Sequence, residues 1–129
     1  MKTMISKLFL LCVLAGMVSL CCACAPMTYA DYNVKQVSFE KTYAATRNLY
    51  NGLYGDQGAF FLAALEIQYE RDKRDLQKDK QNALEEWHQL RTELNDEIAK
   101  EQNPQKRAEL NRELQNVERE IQLFQTSGK

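Results

Sequence analysis

From Ala59 to Gln102 the chain runs about 44 residues without a proline or a glycine, rich in Ala, Leu, Glu, Lys, Gln and Arg. These are strong helix formers, so the stretch predicts one long helix. At ~1.5 Å per residue it would measure about 66 Å, longer than a small globule is wide. Such a helix has to be an extended rod, or be covered in sections by the rest of the chain. The fold class that follows is all-α.

The apolar residues divide the helix into sections. One end holds Phe60, Phe61, Leu62, Leu65, Ile67 and Tyr69, the other Leu84, Trp87, Leu90, Leu94 and Ile98. Between them, Glu70 to Asn82 offers only Leu76 as a large apolar side chain. That middle carries opposite charges at helical spacing, such as Glu70 with Arg74, and reads as a solvated face.

Asn103-Pro104 ends this helix and begins the next, since Asn caps well and proline suits the first helical position. A last helix is expected over 104–125. Its residues Leu110, Leu114, Val117, Ile121 and Phe124 are spaced four, three, four and three, an apolar seam with coiled-coil spacing. Folding back at Asn103 would lay this seam on Leu84 to Ile98 as an antiparallel, coiled-coil-like helical hairpin. The alternative is a proline-kinked continuous helix that buries its seam against other copies. In either case the seam is the candidate partner-binding surface.

Ahead of the long helix, Ser38 is a candidate cap for a short helix over 38–51, in which Phe39, Tyr43 and Tyr50 recur at helical spacing. Asn51-Gly52 and Gly55-Asp56-Gln57-Gly58 read as its stop. Residues 24–37, with Pro26, Asp31 and Asn33, read as a flexible tether, and 127–129 as a polar tail. The helical domain is then 38–126.

Residues 1–23 look like an export leader. Lys2 and Lys7 precede an apolar run from Leu8 to Ala25, the layout that keeps the basic end in the cytoplasm while the apolar part enters the bilayer. All four cysteines, Cys12, Cys21, Cys22 and Cys24, fall in or at the end of this run. The body after it therefore has neither a disulfide nor a thiolate metal site. The segment Leu20-Cys21-Cys22-Ala23-Cys24 resembles a bacterial lipoprotein box, in which a small residue precedes the cysteine that is lipidated and becomes the new N-terminus. Ala23 is that small residue and Cys24 the expected lipid carrier, while Cys21 stands where the pattern has an aliphatic residue. Two other fates are open. Thr28-Tyr29-Ala30 fits an ordinary cleavage site before Asp31, and the 18-residue apolar run, about 27 Å as a helix, could stay as an anchor.

The whole chain has 17 Lys plus Arg against 18 Asp plus Glu, a net charge of −1. Loss of Lys2 and Lys7 with the leader would make it −3. That balance excludes a nucleic-acid partner, which needs clustered positive charge. His88 is the only histidine and sits beside Glu85, Glu86 and Trp87. Neighbours on one helix make neither a pocket nor a metal set, so it reads as a surface residue. Gly52, Gly55 and Gly58 lack the strand and Lys-Ser/Thr of a phosphate loop. No enzyme, metal, cofactor or small-molecule substrate is expected.

Nine aromatic residues crowd the first part of the body: Tyr29, Tyr32, Phe39, Tyr43, Tyr50, Tyr54, Phe60, Phe61 and Tyr69. They are either a small core or an exposed patch for a partner. The terminal Lys129 completes an architectural resemblance to Braun-type envelope lipoproteins, which combine a lipidated cysteine, a helical rod and a wall-linked final lysine. The expected function is that of a non-catalytic cell-envelope lipoprotein: a scaffold, spacer or accessory subunit, held at a membrane by an N-terminal acyl anchor and bound to an envelope protein or to itself through its helices. In a diderm host, Ala25 after Cys24 fits an outer-membrane address facing the periplasm. The alternatives are a periplasmic holdase-like chaperone and a surface-exclusion or immunity lipoprotein.

Overall fold

The computed structural model describes residues 25–53 and 58–127. The leader, Cys24, Tyr54 and Lys129 lie outside them. The described chain is almost wholly helical, with no strand: α1 spans Tyr29–Leu53, α2 Gly58–Lys100 and α3 Pro104–Thr126. The 43 residues of α2 make a rod of about 64 Å.

The turn between α2 and α3 satisfies its own polar groups. Asn103 caps α3, its Oδ1 accepting from the backbone N–H of Gln105 and Lys106 at 2.9 and 3.4 Å, with Pro104 at the first helical position. The Glu101 carboxylate accepts from the Asn103 N–H at 2.8 Å, and the Arg107 guanidinium donates to the Glu101 carbonyl. A helix end leaves unpaired backbone groups, and these side chains meet them within one short connection. The three residues 101–103 thus bring α3 onto the C-terminal part of α2, where Leu94, Val117 and Ile121 are buried with Leu84, Trp87, Leu90, Leu110 and Leu114 around them.

The first helix differs from its sequence reading. Residues 24–37 were expected to be a flexible tether ending at a Ser38 cap, but α1 already begins at Tyr29 and Ser38 is an exposed mid-helix residue. The cap is Thr28, whose Oγ1 accepts from the Asp31 N–H at 3.2 Å, with Asp31 in the first turn where its charge favours the helix dipole. Asp31 and Asn33 are mildly unfavourable helix residues, but burying Tyr32 and half-burying Tyr29 outweighs a cost of a few tenths of a kcal/mol. The helix also runs past Asn51 and through Gly52. A methyl at Gly52 would meet no atom within 4 Å. Gly52→Ala is therefore expected to stabilise the fold by about 0.5–1 kcal/mol, measurable as a higher thermal midpoint.

The added N-terminal turns of α1 let it reach the middle of α2. Rings of α1 and α2 face each other along the N-terminal half of α2: Tyr50 with Phe61 at 5.8 Å, Tyr43 and Phe39 with Tyr69 at 4.1 and 5.0 Å. Lys35 then pairs with Asp79 at 3.0 Å across the charged middle. Both side chains are well exposed, so this pair adds little stability. Beyond it, Tyr32, Ala83 and Phe124 are buried together, with Leu76, Leu84, Trp87, Met27 and Tyr29 against them. Here all three helices meet. Ala83 is the α2 residue at the meeting point, and its small side chain leaves room for two aromatic neighbours. Ala83→Leu is expected to cost about 1–3 kcal/mol by overpacking, seen as a lower denaturation midpoint, whereas Ala64→Leu on the exposed face of α2 should be near neutral.

Candidate functional site

The five seam residues named from sequence are not an open surface. Val117, Ile121 and Phe124 are buried, and Leu110 and Leu114 are half-buried against Leu94, Val117 and Ile121. Their apolar face is covered by the chain's own α2, so the coiled-coil spacing is used internally. The seam expected to bind a partner thus packs against α2 within the single chain.

His88 is half-exposed on α2, and its backbone carbonyl accepts from the Thr92 hydroxyl at 3.1 Å. Among the described residues no three His, Cys, Asp or Glu side chains converge on one point. Nor is any described helix long and apolar enough to cross a membrane.

The aromatic residues divide between the two readings open from sequence. Tyr29 and Tyr32 belong to the junction core, where the Tyr29 ring meets Phe124 edge-on at 5.5 Å and Tyr32 lies 5.8 Å from the same ring. Phe39, Tyr43 and Tyr69 form a half-exposed aromatic layer between α1 and α2, and the Tyr69 hydroxyl donates to Glu40 at 3.2 Å. Phe60 points outward, 77% exposed.

Two features of the surface bear on function. The first is the docked strap ahead of α1. The Trp87 indole N–H donates to the Met27 carbonyl at 2.9 Å, and Glu120 of α3 accepts from the Tyr29 N–H at 2.9 Å. The carboxylate thus meets a free donor at the positive end of α1. The signal was present: Tyr29, Tyr32, Gln36, Phe39 and Tyr43 are spaced three, four, three and four. The second feature is the α1–α2 end of the rod. Leu49, Phe60, Phe61 and Ile67 are all exposed there. On the outer face of α1, Val34, Val37 and Lys41 line a groove of about 480 Å³.

Comparison with protein-family models, with curated proteins and with solved structures finds no match to this chain.

Among the described residues, two tyrosines sit in surroundings that favour the neutral phenol. Tyr32 is raised above its usual value, first by burial and then by the neighbouring Tyr29 and Asp79. Tyr69 is raised by burial first, then by its hydrogen bond and proximity to Glu40. A raised folded-state value means that the neutral phenol is favoured by folding. Its contribution is whole below pH 10, the unfolded value, and is lost as pH rises through the folded one. Alkaline titration followed by helical circular dichroism should therefore show stability falling above pH 10, with a shallower fall in Tyr32→Phe. An identical slope in that variant would remove Tyr32 from the account.

Proposed function

We propose that this chain is a non-catalytic bacterial cell-envelope lipoprotein, acylated at Cys24, that serves as a helical scaffold, spacer or accessory subunit. The observation that carries the reading is the position of the docked strap. The cysteine cluster ends at Cys24, and by Met27 the chain is already held to Trp87. Cleavage before Cys24 keeps the whole folded body, whereas cleavage after Ala30 would remove Met27, the Thr28 cap and the Tyr29 ring from the junction. A processing site upstream of Met27 thus leaves the junction intact.

In this reading α2 and α3 form an antiparallel, coiled-coil-like hairpin, and α1 completes the rod from the other side of the junction. The work is done by surfaces rather than by a pocket, through contacts with an envelope protein or with a second copy. The address is the cell envelope, and in a diderm host the periplasmic face of the outer membrane. Fatty-acid labelling of the wild type against Cys24→Ser tests the anchor, with label expected in the wild type alone. An unlabelled wild-type chain removes the lipoprotein reading.

The exposed Leu49, Phe60, Phe61 and Ile67 at one end favour a second reading, a periplasmic holdase that grips unfolded chains there. It requires that the purified protein suppress aggregation of an unfolded client, and that Phe60→Asp abolish the effect.

A further inference from the structure

The strap and the exposed end of the rod bear on one another. From Cys24 to Thr28 the chain can span at most about 14 Å, at ~3.5 Å per residue. The strap joins the rod at Trp87, away from either end of α2. An acyl chain on Cys24 would therefore hold the junction, not an end, close to the bilayer. From Trp87 to Gly58 along α2 is about 43 Å at ~1.5 Å per residue, within sweep of the same membrane.

The residues at that end suit a lipid interface. Among the described residues of that end, 48–53 and 58–65, none is charged, and Tyr50, Phe60 and Phe61 are aromatic. The opposite turn carries Glu97, Lys100, Glu101, Lys106 and Arg107. Aromatic residues with few charges favour the headgroup boundary, and the exposed, polar Asn51 favours a shallow seat over a crossing one. A second copy is a poorer occupant. Phe60, Ile67, Leu49 and Phe61 are 77%, 65%, 53% and 42% exposed. On side chains of ~200 Å² each they offer roughly 450 Å², below the ~800 Å² per partner of a stable dimer.

We propose that the rod lies along the bilayer surface, held at its junction by the strap, with the charge-poor aromatic end of α1 and α2 as its second contact with lipid. The proposal rests on the acyl anchor at Cys24. It is tested in the full chain, in cells, with a photo-crosslinking phenylalanine analogue in place of Phe60 or of the exposed Gln102, alongside fatty-acid labelling. Phe60 projects outward, so the fold should tolerate the analogue, and helical circular dichroism of the purified chain checks this. A phospholipid adduct at position 60, at least about tenfold above that at 102, is the expected result. An adduct with a second copy or with another protein at position 60 overturns it, as does equal lipid labelling at both positions. A fatty-acylated chain with no lipid adduct at position 60 overturns the proposal and leaves the anchor standing. An unacylated chain that keeps the adduct overturns the anchor and leaves the lipid seat. Absence of both overturns both.

Discussion

Phe124→Ala is expected to lower the stability of the protein by about 3–5 kcal/mol, a large share of the ~5–15 kcal/mol that holds a small domain together. Phe124 is the most deeply buried large side chain among the described residues, 1% exposed, and sits where α1, α2 and α3 meet. Its ring contacts Tyr29 and Tyr32 of α1, and Ala83 of α2 lies in the same cluster. Truncation leaves a cavity that Ala83 is too small to fill. The loss should fall first on α1, which meets α3 only near this junction. Amide exchange should therefore speed up at residues 29–32 before it changes near Leu94. Urea denaturation followed by helical circular dichroism measures the total. Leu123→Ala supplies the control, because Leu123 is the next residue but 37% exposed, and its cost should stay below about 1 kcal/mol. Equal costs for the two variants would show that the junction is not the core.

Val117→Asp should abolish the pairing of α2 with α3. Val117 is 4% exposed and buried with Leu94 and Ile121, with no buried polar residue beside it to receive a carboxylate. An unpaired charge there costs several kcal/mol, enough to unfold most of the molecule. The same exchange at Val37 provides the contrast, since Val37 is 44% exposed on the outer face of α1. Val37→Asp should change stability by less than about 1 kcal/mol. Circular dichroism and tryptophan emission from Trp87, which packs in this region, report the difference. Retained helicity in Val117→Asp would place the seam outside the core. The result also bears on binding experiments: loss of a partner in a Val117 variant would report unfolding, so partner contacts are better sought at exposed positions such as Phe60.

How far the sequence could be read varied with the kind of signal each segment carries. α2 and α3 were legible almost to the residue. Their composition favours helix at nearly every position, and Asn103-Pro104 combines a cap with a proline that fits only the first helical turn. α1 was legible only in its second half. Asp31 and Asn33 obscured a pattern that Tyr29 and Tyr32 extend, because their effect on helix formation is local, whereas the value of the tyrosines depends on Phe124, about ninety residues away. The seam was legible as an apolar face, and the structure packs it against α2. Heptad spacing states that a face will be buried and is silent on whether the covering helix belongs to the same chain.

The sequence by itself determined that this protein is helical, that its longest element outgrows a globule, and that two shorter helices would have to share its length. Each is a local property of propensity and period. The tertiary structure decided where those helices meet: at Ala83, with Phe124 and Tyr32 closing over the smallest side chain available. It also decided that the strap ahead of α1 is docked through Trp87 and Glu120 instead of hanging free. These depend on side chains brought together from three helices, and such complementarity exists only once the helices have packed.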